Sequence, residues 1–369
     1  MNPPSNSPAG VTPELPGPHA KTGLRSLLTW IKWPIALLLI GWLSYQNREQ
    51  FERILSGEQE IRWSYLVSAF VLCGSSIILT FFRWYLLVVA LAFPFSFRDA
   101  LRLGFLGYLF NYVAPGAVGG DAIKAVMLAS EQTSRRAVAV ATILLDRILG
   151  LQALLIVGAG AVLFLTGEIQ HREKIEMILW GGSAAGLLGL AVMLSPAAHS
   201  RPVMALTRIP KVGSIFADIL DGVAYYQSRR GVVILTVLIS VVGHFGVISS
   251  FYLCALAVSN VNSVPDYATH MFLIPVAEII GVIVPLPGGV GALEGAVQKS
   301  YELAGANPQV GFLAAGAYRV TTIVIAIFGA GFYVMQKKRI ASLLADDAEA
   351  DGETSTDNAA GAADQTESA

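Results

Sequence analysis

Charge is scarce in this 369-residue chain: Asp, Glu, Lys and Arg together make up 14% of it. A soluble domain carries about a quarter of its residues as charges, so an ordinary water-soluble fold is excluded. Cysteine is nearly absent, and Cys73 and Cys254 each lie inside an apolar run with no partner spacing. They read as small buried hydrophobes, which leaves no disulfide framework and no redox centre. The five histidines have no metal-ligand spacing, and no GxSxG, Walker, dinucleotide or zinc motif occurs. Conventional hydrolase, nucleotide-driven and metal chemistry therefore have no sequence support, no cofactor is expected, and no feature points to nucleic acid.

Hydrophobic residues, by contrast, make up 54% of the chain, with 36 glycines among the rest. Apolar runs long enough to cross about 30 Å of hydrocarbon occur near 28–45, 64–92, 137–166, 177–195, 231–257 and 311–335. Two further apolar stretches, 100–129 and 269–304, are interrupted by proline and glycine. With each counted once, about eight transmembrane segments are expected, making an all-α polytopic membrane protein.

The interruptions resemble each other. Val113, Pro115, Gly116, Val118 and Gly119 lead to Asp121, as Leu286, Pro287, Gly288, Val290 and Gly291 lead to Glu294. A single offset of 172 positions superposes Pro115 on Pro287, Gly116 on Gly288, Val118 on Val290, Gly119 on Gly291 and Arg147 on Arg319. Proline and glycine break helices, and in a bilayer the freed backbone groups need protein or a wet cavity around them. Paired breaks in corresponding halves are where secondary transporters build their sites.

Basic residues set an orientation independently of that echo. Lys21, Arg25 and Lys32, then Arg98 and Arg102, then Lys124, Arg135 and Arg136, the central loop and Lys337, Lys338 and Arg339 can all be cytoplasmic on one condition. Residues 94–136 must enter and leave on the inner side and 258–310 on the outer side. The two broken stretches then become re-entrant hairpins of opposite orientation in two inverted halves. Two short full crossings per stretch would give the same parity and stay open as an alternative. Both termini are expected in the cytoplasm of a prokaryotic cell with a cytoplasmic (inner) membrane.

Three regions follow: a proline-rich flexible leader at 1–24, a membrane domain at 25–340 and an acidic disordered tail at 341–369. Of the 26 acidic residues, eight fall in 346–369 with no basic residue beside them, which leaves 18 acids against 25 bases in the body. The tail has no aromatic residue and too little apolar surface to order itself. In the central loop, VGSIFADILDGVAYY has near-helical apolar spacing and reads as an interfacial or simple loop helix.

Ions inside apolar runs are costly and usually face a partner or a wet pathway. Asp146 and Arg147 interrupt the third long run. As adjacent residues they share no helix face, so each needs its own partner, and Asp121 is a candidate for Arg147. Arg319 is the counterpart of Arg147, with Glu278 or Glu294 to neutralise it. Asp121 suits a helix N-terminus, where it either satisfies amides or meets a head-group amine. Lys124 lies on the same helical face and either contacts a lipid phosphate or snorkels to the interface. Asn111 and Tyr112 offer polar atoms beside the first break. Arg83 reads as an interfacial anchor, and His244 as a packed histidine.

As a set, FFRWYLLV, NYVAPGAVGGDAIKAVML, LLDRILGL and VPLPGGVGALEGAV resemble the transmembrane flippase-like region of lysylphosphatidylglycerol synthases, over residues 28–340. The resemblance implies movement of a polar-headed lipid between leaflets. On the quoted motifs it marks Asn111, Pro115, Gly116, Gly119, Gly120, Asp121, Arg147, Pro287, Gly288, Gly289, Gly291 and Glu294. Lys124, Asp146, Glu278 and Arg319 complete the expected substrate pathway. The family's soluble aminoacyltransferase has no counterpart after Arg339. Asp146 stands where the family usually has Glu, and Lys124 where it often has Arg, which binds phosphate bidentately as Lys cannot. Membrane lipids are the expected partners. A homodimer follows by analogy with the family, and a lipid-biosynthetic enzyme is a further candidate partner. The competing class is a membrane-embedded lipid-modifying enzyme or accessory in glycolipid or hopanoid biosynthesis.

Overall fold

The computed structural model describes residues 34–49, 60–113, 119–131, 136–200 and 225–336, with isolated positions at 52, 56, 204, 205, 207, 208 and 213. The leader, the first break at 114–118, most of the central-loop segment and the acidic tail lie outside the described residues. Every regular element among the described residues is helical.

Among the described residues the main α-helices are α1 (Pro34–Gln46), α2 (Trp63–Ala90), α3 (Phe97–Val113), α4 (Gly119–Glu131), α5 (Arg136–Ala161), α6 (Arg172–Met193), α7 (Arg230–Val258), α8 (Tyr267–Ile283), α9 (Ala292–Leu303) and α10 (Pro308–Gln336). Five of them, α2, α5, α6, α7 and α10, are long and apolar enough to cross a membrane. Their positions match five of the six uninterrupted runs expected from the sequence. The sixth coincides with α1, whose 13 described residues fall short of a full crossing.

Local chemistry explains where the helices stop. After Ala90, Ala92 adopts a positive φ of 58° and Pro94 follows, so α2 cannot continue. The side chain of Asp266 accepts from the amide of Thr269 and caps α8. That helix ends at Ile283, where Val284 turns extended ahead of Pro287.

Helices α2 and α7 pack against each other along much of their length. Small residues let them approach: Gly246 rests on Ser76, and the Ser250 hydroxyl donates to the Ala69 carbonyl at 2.8 Å. In a membrane, where apolar attraction between helices is weak, close packing of this sort is what holds helices together.

Two main apolar clusters fill the interior. One gathers Trp84, Leu87, Leu103, Leu128, Leu149 and Val233 around α3 and α4. The other gathers Val157, Ile248, Phe251, Ile274, Val297 and Ala314 around α8 and α9. Helices α5 and α7 contribute to both, with the earlier part of each in the first cluster and the later part in the second. The two interrupted stretches therefore each hold a pair of short helices against a common frame.

Within each pair, glycine permits the contact. Gly120 of α4 faces the Gly107 carbonyl of α3 so closely that no side chain fits between them. In the second stretch a Cβ added to Gly289 would lie 2.5 Å from the Gly281 carbonyl oxygen of α8. The turn between α8 and α9 places Gly288, Gly289 and Gly291 at φ values of 58°, 64° and 84°, a region L side chains avoid.

Candidate functional site

The second turn is locked by one cation. Arg319 of α10 donates from Nε to Glu294 Oε1 at 2.6 Å, from Nη1 to the Gly288 carbonyl at 2.6 Å and from Nη2 to the Gly289 carbonyl at 3.3 Å. The other oxygen of Glu294, Oε2, accepts from the Gly291 amide at 2.7 Å, the half of a capping box that a glycine can offer. Of the two carboxylates proposed for Arg319, Glu294 is therefore its partner. This arrangement meets the requirement that a broken backbone at membrane depth find its hydrogen bonds within the protein.

The first stretch uses the same chemistry with a different outcome. Arg147 of α5 donates from Nε to Asp121 Oδ2 at 2.6 Å, the pairing anticipated from the sequence. Lys124 Nζ lies 3.0 Å from the other oxygen, Oδ1, and 5.1 Å from the centre of the Trp84 ring. Lys124 is thus half-buried within the protein rather than extended toward an interface. Asn111 Oδ1 accepts from the Gly120 amide at 3.2 Å, so it serves a free N–H rather than a free carbonyl. Pro115 and Gly116 lie outside the described residues, while Gly119 and Gly120 open α4.

Arg83 departs from the anchoring role read for it. It is buried and forms a bidentate pair with Asp146, Nε to Oδ1 at 2.7 Å and Nη2 to Oδ2 at 2.8 Å, while Nη1 donates to Ser240 at 2.9 Å. Asp146 and Arg147 thus do find separate partners. Nothing local in the sequence names Asp146 as the partner of Arg83, because it lies beside another arginine, Arg147, and 63 positions from Arg83.

These groups converge on a cavity of about 520 Å³. Arg83, Arg147, Arg319, His244 and Glu278 contribute its charged and titratable lining, joined by Asn111, Tyr112, Tyr108, Tyr318, Thr80 and Thr322. Tyr112 hydroxyl donates to Thr322 Oγ1 at 2.8 Å, and Gly288 packs on the Tyr112 ring, so the second turn seats directly against the end of α3. Gly288, Gly289 and Gly281 complete that wall. Asp121, Glu294 and Asp146 stand behind their arginines and outside the lining. Glu278 faces His244, with Oε2 3.7 Å from Nδ1.

One edge of the cavity is apolar and open. Ile148 and Leu151 of α5, and Val282 and Ile283 of α8, line it and remain exposed on the outer surface of the protein. The cavity thus has a polar floor fed by both halves and a hydrocarbon edge. A molecule with one charged end and one apolar end fits such a space better than a fully polar solute would.

Comparison with known proteins agrees with the geometry. A membrane protein of Methanothermobacter thermautotrophicus named UPF0104 is 24% identical to this chain over 302 residues, covering 76% of this chain and 84% of that one. No solved structure matches. The model of the lysylphosphatidylglycerol synthase TM region family matches residues 29–329, which include every residue of the cavity. The chain is a multi-pass membrane protein and belongs to the lysylphosphatidylglycerol synthase TM region family.

Proposed function

We propose that this protein moves a polar-headed lipid, in the first place a phospholipid, between the leaflets of a prokaryotic cytoplasmic membrane. The observation that carries this reading is the cavity lined by Arg147 of α5 and Arg319 of α10, each paired with a carboxylate from an interrupted stretch, with an exposed apolar edge between α5 and α8. The head group enters toward Arg147, whose guanidinium geometry suits phosphate, and the acyl chains stay in hydrocarbon along Ile148, Leu151, Val282 and Ile283.

The same reading makes the two interrupted stretches re-entrant pairs in inverted halves, with both termini cytoplasmic. Helix lengths support it. At about 1.5 Å per residue, α4 and α9 span roughly 20 Å and 18 Å, and α3 and α8 roughly 26 Å, against the ~30 Å of a hydrocarbon core. None of the four reaches across untilted. Arg147 with Asp121 and Arg319 with Glu294 occupy corresponding places, as two related halves require.

The test is leaflet-resolved movement of head-group-labelled phospholipids in proteoliposomes holding the wild type or a correctly folded Asp121→Asn variant. Movement in the wild type that the variant loses is the expected result. Equal background movement in both, across anionic, cationic and isoprenoid lipids, would overturn the reading and favour a lipid-modifying enzyme or accessory.

A further inference from the structure

His244 and Glu278 line the cavity and face each other without an arginine or lysine paired to either among the described residues. His244 Nε2 lies 3.0 Å from the Gly150 carbonyl oxygen. A carbonyl only accepts, so Nε2 carries the hydrogen. In a neutral imidazole the other nitrogen, Nδ1, then presents a lone pair. That atom is buried without a hydrogen-bond partner among the described residues and faces Glu278 Oε2 at 3.7 Å. A lone pair against a carboxylate oxygen is repulsive and leaves a polar atom unsatisfied, a costly state away from water.

One proton resolves it. Placed on Nδ1 it makes an imidazolium facing a carboxylate; placed on Glu278 it makes an acid that donates to Nδ1. Either way the pair takes one proton from the aqueous phase and its charge goes from −1 to 0. A small approach, or one bridging water, closes the 3.7 Å gap.

The neighbours leave this role to the pair. On α2, Arg83 is held by Asp146 of α5, and Cys73 is buried near Glu278. On α5, Arg147 is held by Asp121 of α4. On α10, Arg319 is held by Glu294 of α9, and Tyr318 stacks on Phe251 of α7 while lying close to Glu278. From α3, Tyr108 and Tyr112 reach the same cavity. The arginines bring their own carboxylates, so Glu278 is the carboxylate in the cavity lining that no arginine neutralises.

We propose that His244 and Glu278 form a one-proton site in the wall of the cavity, and that filling and emptying it is coupled to lipid movement. The coupling rests on the lipid-translocation reading above; the proton site does not. With the site empty, Glu278 is a fixed anion in the same cavity as Arg319 and Arg147 and repels an anionic head group drawn to them. With the site filled that repulsion is gone. Proton uptake thereby favours head-group entry, and proton release favours its departure.

Two measurements separate the parts. Purified full-length protein in detergent is titrated across the pH range in which it stays folded. Infrared difference spectra then follow carboxyl and imidazole bands. The wild type should show one proton step that is missing from both Glu278→Gln and His244→Asn. In parallel, fluorescent phosphatidylglycerol is followed between leaflets of phosphatidylcholine vesicles, with and without a pH difference across the membrane. The wild-type rate should change by up to about tenfold per pH unit, the limit one proton sets, and should respond to the gradient. Glu278→Gln should respond to neither, whatever its absolute rate. No proton step in the wild type overturns the site even if lipid moves. A proton step with lipid movement indifferent to pH and gradient overturns the coupling. A proton step with no lipid movement of any kind overturns the coupling together with the translocation reading and upholds the site.

Discussion

Each interrupted stretch pairs a carboxylate with an arginine from the helix that follows, and the two arginines are exposed very differently. In the second, the side chains of Glu294 and Arg319 are 2% and 12% exposed, and the arginine is committed to the carboxylate and two glycine carbonyls. In the first, Asp121 is 11% exposed but Arg147 is 42% exposed, and the carboxylate is shared between Arg147 and Lys124. One arrangement spends its cation on holding a turn. The other keeps a cation within reach of whatever occupies the cavity. The two arginines, alike in their carboxylate partners, thus differ in how fully those partners and the turn enclose them.

Removing the partner of a buried ion is the hardest way to break that comparison. Glu294→Gln leaves Arg319 buried without its counter-charge, and such losses cost about 3–5 kcal/mol. The expected outcome is a protein that fails to stay monodisperse or unfolds at a much lower temperature, measured by thermal-shift in detergent. If Glu294→Gln is as stable as the wild type, the second stretch is not the locked one.

Gly289→Ala should come next. It forces a Cβ against the Gly281 carbonyl at a positive φ. Gly305→Ala is the control, because Gly305 has a comparable φ of 68° and open space around it, so its cost is limited to the backbone at about 1 kcal/mol. A larger loss of thermal stability at 289 than at 305 would place the constraint in the helix contact; equal losses would place it in the backbone alone.

Arg147→Gln sharpens the contrast from the other side. Because Asp121 keeps Lys124 as a counter-charge, stability should fall by less than for Glu294→Gln, while lipid movement should drop to background. A variant that unfolds as readily as Glu294→Gln would make the first pair structural as well. The smallest effect is expected for Lys124→Arg. Charge and the ion pair with Asp121 can be kept, so stability should change by less than about 0.5 kcal/mol. Any change should appear as altered preference among anionic head groups, since Arg offers a bidentate fork.

Much of this was legible before any coordinates. The apolar runs located five long helices to within a few residues, because hydrophobicity and length are local properties that a bilayer reads directly. Pro287 with Gly288, Gly289 and Gly291 announced a turn, and Asp121 was identified as a partner for Arg147. Less legible was the fate of Arg83. A lone arginine near one end of an apolar run has the profile of an anchor, and nothing in its neighbourhood names Asp146, 63 positions away, as its partner. The Glu278 and Glu294 alternatives for Arg319 were equally undecidable, since both lie in apolar sequence flanking the same break.

What the sequence by itself determined is the membrane class, the helical spans, the places where helices must break and the inventory of ions that need partners. Each of these follows from residue chemistry over one or two helical turns. Only the tertiary structure decided which ions meet, that Arg319 is consumed by the turn while Arg147 is not, and that His244 and Glu278 face each other across α7 and α8. The reason is physical: a pairing depends on which faces of two helices are pressed together, and that is set by the packing of the whole bundle around α5 and α7, not by either segment alone.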